Sequence, residues 1–352
     1  MAKRTKQSAA HLQTDTVRQI IKHLEAAGHK GGVSPFRVFE DFLKITEATL
    51  ARMPDQLRAA GLRGELADDP PEIRKMFQEV DRRYGHNPAV WQQFGQAFAR
   101  LLAATEDGLW GDSASLYAAG AFGPDVLGAI YQTWGINNPQ WNASFYTPYS
   151  VASLMSQMTM LDIERQVHDR VKAGLLHADN VIGQALLIGS LALATDPDKN
   201  RAWNYFIGKL VPAAMPYLEP IKVMEPAIGS AILVLAAAAA APEWTVKLGL
   251  IQFTGADTDM AAVLMARCNC MLYGLNGFHV QLHAAAQEAW EGHTLRQAGH
   301  PPPDTLANLR QIWPLLPSNG EKSTPVNVTH LPSTQQMLYA TATPVDPVAV
   351  TA

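Results

Sequence analysis

The sequence has only two cysteines, Cys268 and Cys270, among its 352 residues. Two thiols separated by one residue point to different faces of a helix, so neither a disulfide framework nor a thiolate metal site is predicted. Long apolar runs are also missing. The most apolar stretch, Ile232 to Ala241, is about half as long as a bilayer-spanning helix, and the basic amino terminus has no apolar segment typical of a secretory signal. We therefore expect a cytoplasmic protein with no membrane span and two reduced, buried thiols.

An excess of basic charge is missing too. The net charge is −4 at pH 7 and the sequence pI is about 6.3, so no overall basic field attracts nucleic acid, although a local basic face would still serve. Histidines are more numerous, but they form no ligand-spaced set with acids or cysteines. His279 and His283 lie four residues apart and would share a helix face, yet no third ligand accompanies them. No metal site is predicted.

The first 135 residues show helical periodicity only. From Val38 to Leu50, apolar residues recur at spacings that place them on one helix face. A second helix is predicted to begin after Asn87-Pro88, a typical start signal, and to run through Leu101. A third is predicted near Val126 to Tyr131. These patterns predict an all-α amino-terminal domain over residues 1–135.

The pattern changes after residue 220. A short apolar run at Ile221–Met224 predicts a strand, and a glycine turn and a helix from Ile232 to Ala241 follow it. A second strand is predicted over Val246–Thr254, followed by an acidic turn and a helix over Met260–Tyr273. This order is typical of the opening of a doubly wound α/β sheet. After Phe278 the chain is predicted to continue as helix from Gln281 to Gln297.

The segment after the α/β region is rich in proline. Nine prolines occur from Pro301 onward, and beyond Pro317 few apolar residues would anchor a regular element. Such a composition predicts an extended tail. We therefore predict a boundary between an α/β domain over residues 136–298 and a tail over residues 299–352.

Two acidic turns carry the candidate chemistry. Glu225 ends the first predicted strand, and its carboxylate would pair with an ammonium group; at Gly229 a ligand would lie against a main chain free of side-chain bulk. In Rossmann-type folds an acidic residue at the end of the second strand binds ribose hydroxyls, which favours Asp257 for that role. Asp259 would then cap the next helix. The alternative is that Asp257 and Asp259 serve only as helix caps.

Four stretches together resemble a known family. Ser144-Phe145-Tyr146-Thr147-Pro148-Tyr149-Ser150-Val151, continued by Leu154-Met155, is similar to the G-Q-F-[FY]-T-P-x-x-V-x-x-[FL]-M segment of adenine-N6 DNA methyltransferases of the type I restriction-modification kind. Glu225 to Ala231 is similar to the family's D-P-A-C-G-S-G loop. Gly255 to Asp259 resembles G-x-D-I-D, and Met265 to Gly274 resembles A-R-x-N-x-x-L-x-G.

The resemblance implies a Rossmann-like, class I S-adenosylmethionine (SAM)-dependent methyltransferase sheet, preceded here by the all-α domain. It also implies SAM as cofactor, DNA as substrate and a specificity or other partner subunit as a possible companion. In the family, the Phe-Tyr-Thr-Pro segment closes over the methionine moiety of SAM. The residues that inherit a cofactor-binding role are Phe145, Tyr146, Thr147, Pro148, Glu225, Pro226, Ala227, Gly229, Ser230 and Asp257.

The sequence also departs from the family. Ala231 replaces the last glycine of the loop, and the stretch from Pro148 to Glu225 is longer than usual, with a predicted helix from Val181 to Ala194. The family's [DN]-P-P-[FY] tetrapeptide, which holds the target adenine, is not found. His300-Pro301-Pro302-Pro303-Asp304 lacks its leading residue and its aromatic residue. Asn138-Pro139-Gln140-Trp141 lies too close to Phe145 for a catalytic turn, and an ordinary turn is the simpler interpretation.

Three functions therefore stay open. The first is an active adenine-N6 DNA methyltransferase whose base-binding turn has diverged, and the second is a non-catalytic SAM- or DNA-binding relative. The third is a scaffold on a degenerate methyltransferase fold, in which Glu225 and Asp257 would be engaged in internal salt bridges. No catalytic residue is assigned.

Overall fold

The computed structural model describes residues 9–106, 108–110, 123–135, 147–193, 195–275 and 279–282. In this part of the chain the protein is mostly helical, with a small parallel sheet near its carboxyl-terminal end. The Phe-Tyr half of the Phe-Tyr-Thr-Pro segment and the proline-rich tail lie outside the described residues, as does most of the helix predicted from Gln281 to Gln297.

Helices form the amino-terminal region, as its periodicity predicts. Pro88 stands in the first turn of its helix, where a missing N–H costs nothing, and the Asn87 side chain accepts a hydrogen bond from Ala89 N (3.0 Å). The helix over Pro35–Arg63 ends at Gly64, whose left-handed conformation (φ +71°) lets its N–H return to Ala60 O. The described helices here are α1 (Ala9–Gly31), α2 (Pro35–Arg63), α3 (Pro71–Arg83), α4 (Pro88–Thr105) and α5 (Val126–Thr133).

A second set of helices lies between the Phe-Tyr-Thr-Pro segment and the sheet. The helix predicted from Val181 is confirmed, although it ends at Ser190 and a short 3₁₀ turn follows it. The described helices of this set are α6 (Tyr149–Thr159), α7 (Ile163–Leu175), α8 (Val181–Ser190), α9 (Lys199–Tyr205) and α10 (Val211–Ala214), with 3₁₀ turns at Leu191–Leu193 and Met215–Tyr217 and a π-helical turn at Phe206–Leu210.

Three parallel strands form the sheet in the order β1-β2-β3. Each connection contains a helix, as parallel strands require. The predicted helices from Ile232 and Met260 are confirmed. The elements are β1 (Ile221–Glu225), α11 (Ile232–Ala240), α12 (Glu243–Lys247), β2 (Ile251–Asp257), α13 (Met260–Leu272) and β3 (His279–Leu282).

Two predictions in this region are wrong in detail. The second strand does not begin at Val246, because Pro242 starts the short helix α12 and Gly249 (φ +70°) turns the chain before β2 begins at Ile251. Gln281 and Leu282 belong to β3 and not to a helix, since this segment pairs with the end of β2. His279 lies in the same strand, so it does not share a helix face with His283.

One hydrophobic core runs through the described elements, from Val17 in α1 to Leu275 after α13. Helix α2 packs along α13, where Arg267 Nη1 lies 3.0 Å from Glu47 Oε1. The Cys268 thiol lies 3.7 Å from Leu43 O. Helix α2 of the amino-terminal region therefore packs against the α/β segment, although the sequence predicts a domain boundary between the two.

The thiols of Cys268 and Cys270 are unpaired and fully buried in α13, as predicted. Burial raises the pKa of both thiols, that of Cys270 to about 12. Among the described residues, no helix is both long and apolar enough to cross a membrane. The same residues contain no cluster of three or more His, Cys, Asp or Glu side chains with the geometry of a metal site.

Candidate functional site

Two carboxylates lie at the carboxyl edge of the sheet. Glu225 is the last residue of β1 and pairs in register with Gly255 of β2. Asp257 is the last residue of β2, two positions further along. Because the strands are parallel and adjacent, both acidic residues end on the same side of the sheet, where ligands bind in open α/β folds. Both side chains are partly exposed.

The loop from Pro226 to Ala231, hereafter the glycine loop, is tied to both strand ends. Ala227 N donates to Glu225 Oε1 (3.1 Å), and Ile228 N donates to the carbonyl of Ala256 in β2 (2.9 Å). Gly229 N donates to Asp257 Oδ2 (2.9 Å). The two predicted acidic positions are thus joined through the main chain of the loop.

Two glycines serve this loop for different reasons. Gly229 has a φ of +54°, and a Cβ atom built on it would meet no atom of the described residues within 4 Å, so these residues leave open space beside its α-carbon. Gly255 has no room for a side chain, because a Cβ there would lie 2.2 Å from Ile228 Cδ1. Gly255 therefore lets Ile228 pack on β2, whereas Gly229 leaves space at the carboxyl edge of the sheet.

Ala231 stands where the resembling family has its last glycine. Its backbone is left-handed (φ +75°, ψ +22°), and it immediately precedes α11. An L-residue in this conformation places its Cβ close to the following carbonyl, at a cost of about 1–2 kcal/mol. Alanine therefore occupies this left-handed position at the expense of local strain.

The acidic turn after β2 joins the loop to α13. Asp257 Oδ1 accepts from Asp259 N (3.0 Å), and Asp259 Oδ1 accepts from Ala261 N (2.9 Å), so Asp259 caps α13 as predicted. Burial raises the pKa of Asp259, and the nearby charge of Asp257 raises it further. Asp257 differs from Asp259, because its Oδ2 accepts a hydrogen bond from the glycine loop and its Oδ1 accepts one from the acidic turn.

No ion pair engages Glu225 or Asp257 within the part of the chain that the structure describes. From the described residues, each carboxylate accepts hydrogen bonds from main-chain N–H groups only. A carboxylate has about four lone-pair sites, so both retain acceptor capacity after these contacts.

The described end of the Phe-Tyr-Thr-Pro segment lies beside the helix that follows the glycine loop. Pro148 precedes α6, and its carbonyl accepts from Val151 N (3.0 Å) and Ala152 N (3.1 Å). Helix α6 packs against α11 through a small buried cluster made of Tyr149, Ala152, Ile232 and Ala236. Thr147 is partly buried and Pro148 is exposed, while Phe145 and Tyr146 lie outside the described residues.

A buried group that the sequence analysis missed contacts the glycine loop. Asp125 is 3% exposed, at the start of α5, and its Oδ2 accepts a hydrogen bond from Ser230 Oγ. An aspartate three positions before Gly128 at the start of an apolar helix is typical of an N-cap, and it does accept from Gly128 N (2.8 Å). Nothing in the sequence indicates that the same carboxylate also reaches Ser230. The Ser230 side chain is buried and its hydroxyl points into the protein, so the cofactor-binding role predicted for Ser230 would fall to its main chain.

Both catalytic tetrapeptide candidates, Asn138–Trp141 and His300–Asp304, lie outside the described residues. No protein-family model, curated protein or solved structure matches the chain. Functional inference therefore depends on the geometry of the sheet edge and on the motifs in the sequence.

Proposed function

We propose that this chain binds SAM at the carboxyl ends of β1 and β2. One arrangement carries the proposal: Glu225 and Asp257 end adjacent parallel strands, and between them lies Gly229, whose N–H is held by Asp257 and whose α-carbon faces open space. This is the combination of acids and accessible main chain that a ligand with an amino-acid end and a ribose requires.

The residues present fit SAM in three respects. Glu225 retains acceptor capacity for the ammonium group, and Asp257 retains acceptor capacity for ribose hydroxyls. The main chain at Gly229 and the start of α11 would lie against the rest of the amino-acid end. When bound, SAM supplies a methyl group on a sulfonium that is a good leaving group.

The proposal extends to the fold of the α/β segment. Three parallel strands in sequential order, with helices between them, are what one half of a doubly wound sheet requires. We infer a Rossmann-like, class I methyltransferase sheet from this order together with the Phe-Tyr-Thr-Pro segment, whose described end packs beside α11. By resemblance, Phe145 and Tyr146 would close over the methionine moiety.

Methyl transfer to adenine N6 of DNA is the reaction that the resemblance implies. This reaction requires a turn that holds the target base, and the sequence contains no [DN]-P-P-[FY] motif. We therefore propose SAM binding for this chain. Methyl transfer would additionally require a diverged base-binding turn or a partner subunit that supplies one. The alternative is a non-catalytic SAM- or DNA-binding protein. The absence of described ion pairs at Glu225 and Asp257 favours either cofactor-dependent function over a scaffold. Such a function would place the protein in the cytoplasm.

Calorimetric titration of SAM into the purified protein tests the proposal. We expect micromolar binding, and we expect Asp257→Ala to weaken it by at least tenfold, because a charge-assisted contact contributes about 1.5–3 kcal/mol. The matched control is Asp179→Ala, which removes a carboxylate whose side chain is 85% exposed, and it should leave the affinity unchanged.

No heat and no thermal shift at millimolar SAM would contradict SAM binding and leave the scaffold. If SAM binds, transfer of a radiolabelled methyl group to DNA then separates the enzyme from the non-catalytic relative. Label on adenine N6 identifies the enzyme, and unlabelled DNA identifies the relative.

A further inference from the structure

Asp125 is a buried carboxylate that connects three separate elements. It precedes α5, where its Oδ1 accepts from Gly128 N (2.8 Å). The same oxygen accepts from Asn269 Nδ2 of α13 (2.8 Å), and Oδ2 accepts from Ser230 Oγ of the glycine loop. The loop is therefore held from the protein interior as well as from the strand ends.

Asn269 holds Ser230 at a second point. Its side chain is fully buried, and Nδ2 donates to Ser230 O (2.7 Å) as well as to Asp125. Ser230 is thus fixed by both its hydroxyl and its carbonyl. Asn269 Oδ1 accepts no hydrogen bond from the described residues, so the amide orientation is set by the two bonds that Nδ2 donates.

The approach of α5 to the loop is close enough to require glycine. A Cβ atom at Gly128 would lie 2.1 Å from Asp125 Oδ2 and 2.7 Å from Ser230 Oγ. Any side chain at this position would force the carboxylate away from Ser230. The tight contact between the start of α5 and the loop is therefore built into the sequence at two positions, Asp125 and Gly128.

Ser230 lies between the two loop residues with left-handed backbones. On one side is Gly229, which faces the proposed ligand, and on the other is Ala231, whose conformation is strained. A strained turn persists only when surrounding contacts hold it in place. The contacts on Ser230 are the ones that hold this turn from inside the protein.

We propose that Asp125 is a positioning residue for the ligand site. With Asn269 it clamps Ser230, and the clamp keeps the glycine loop in the shape that presents Gly229 to the ligand. The identity of the ligand as SAM rests on the proposed function above, but the clamp itself is a property of the unliganded loop.

The test compares loop dynamics and ligand affinity in the same variants. In the unliganded protein, hydrogen exchange should show that the amides of Ile228, Gly229 and Ala231 exchange at least tenfold faster in Asp125→Ala than in the wild type. SAM affinity, measured calorimetrically, should fall by at least tenfold. Ser230→Ala, a milder change at the other end of the same bond, should shift both readouts in the same direction even if Asp125→Ala does not fold.

Asp125→Asn provides the conservative rescue. Its Oδ1 can still accept from Gly128 N and Asn269 Nδ2, and its amide can donate to Ser230 Oγ, because a hydroxyl both donates and accepts. We expect loop exchange and SAM affinity within threefold of the wild type. A loss equal to that of Asp125→Ala would overturn the proposed hydrogen-bond clamp.

Asp41→Ala is the matched control. Asp41 is another fully buried carboxylate; it pairs with Arg83 and accepts from Tyr84 Oη (3.1 Å) in the amino-terminal helices. Asp41→Ala should lower the unfolding temperature and leave the hydrogen exchange of the glycine loop and the SAM affinity unchanged. Equal loop exchange in both alanine variants would reduce Asp125 to a general stabilising residue and overturn the proposal. Faster loop exchange in Asp125→Ala alone, with no SAM binding by the wild type, would retain the clamp and reject SAM as its ligand.

Discussion

At the residue scale, single atoms decide what the carboxyl edge of the sheet can do. Gly229 and Gly255 are both glycines near Asp257, yet only Gly229 has open space beside its α-carbon. Asp257 uses one oxygen for the loop and the other for the acidic turn, which makes it central to both. These roles can be tested by filling the space beside Gly229 and by removing the buried charge of Asp125 behind the loop.

Gly229→Asn should block the ligand with little loss of stability. Asparagine tolerates the left-handed backbone better than other side chains, so we expect a stability change within about 1 kcal/mol. Its side chain would fill the space beside the loop, and SAM affinity should fall at least tenfold. Calorimetry and urea denaturation measure the two effects.

Gly64→Asn is the control for this substitution. Gly64 also has a positive φ (+71°) and nothing within 4 Å of a Cβ, but it ends α2. Gly64→Asn should change the stability by about as much as Gly229→Asn does and leave SAM binding intact. Wild-type affinity in Gly229→Asn would show that the ligand does not use this space.

Removing the charge of Asp125 should change how stability depends on pH. Burial raises the pKa of Asp125 to about 6, against an ordinary value of 3.8, and hydrogen bonds from Ser230, Gly128 and Asn269 partly offset this. Between these two pH values the native state binds more protons than the unfolded state. The contribution of Asp125 to stability therefore falls as pH rises through this window, and the cost of burying the charge is complete above about pH 6.

Asp125→Asn removes this cost. Its free energy of unfolding, relative to the wild type, should increase by about 1–3 kcal/mol between pH 4 and pH 7. Urea denaturation at several pH values in this range measures the difference. A difference that does not vary with pH would mean that Asp125 does not titrate there.

At the element scale, the start of α11 depends on a left-handed residue that is not glycine, Ala231. Ala231 adopts the left-handed conformation that glycine adopts at no steric cost. The sequence alone does not show this steric cost, because the cost depends on a backbone angle that the residue type does not reveal. The angle also separates Ala231 from the other buried alanines of the same segment.

Ala231→Gly and Ala238→Gly form a matched pair. Both alanines are fully buried, so both substitutions remove a methyl group and add the same freedom to the unfolded chain. Ala238 lies inside α11, where glycine costs about 1 kcal/mol in addition to the lost methyl group. Only Ala231→Gly relieves strain, so it should be at least about 1 kcal/mol more stable than Ala238→Gly in urea denaturation. Equal stabilities would mean that Ala231 carries no strain.

At the scale of the whole molecule, the amino-terminal helices and the α/β segment share one core. Leu43 of α2 is fully buried where this helix packs along α13. A shared core of this kind couples the two predicted domains. We therefore expect a single unfolding transition for both, with far-ultraviolet circular dichroism and tryptophan fluorescence giving the same midpoint.

Leu43→Ala tests the coupling. Leu43→Ala should destabilise the protein by about 2–5 kcal/mol, because it leaves a cavity in the shared core, and it should shift the midpoints of both probes together. Leu62→Ala changes a leucine on the same helix that is 74% exposed, and its effect should stay within about 0.5 kcal/mol. Two separated transitions, or a shift of one probe alone, would show that the two segments unfold independently.

The sequence by itself determined most of the local structure. Apolar periodicity was sufficient for α2 and α4, which bury one face. The order of strand, turn and helix predicted α11 and α13, which are buried on nearly all sides, and strand β1 ends at the predicted acidic turn. The positions of Glu225 and Asp257 at adjacent strand ends followed from the predicted alternation of strands and helices. The start of β2 was predicted wrongly, because an apolar residue such as Val246 is compatible with a buried helix as well as with a strand.

Only the tertiary structure decided which distant residues meet. β3 forms because the chain after α13 returns to pair with β2, a contact that local propensity does not encode. The bond between Asp125 and Ser230 spans 105 positions of sequence. Periodicity reports which face of an element is buried, whereas the partner that buries it depends on how the whole chain packs. For this reason the acids of the candidate site were predictable, and the buried clamp behind them was not.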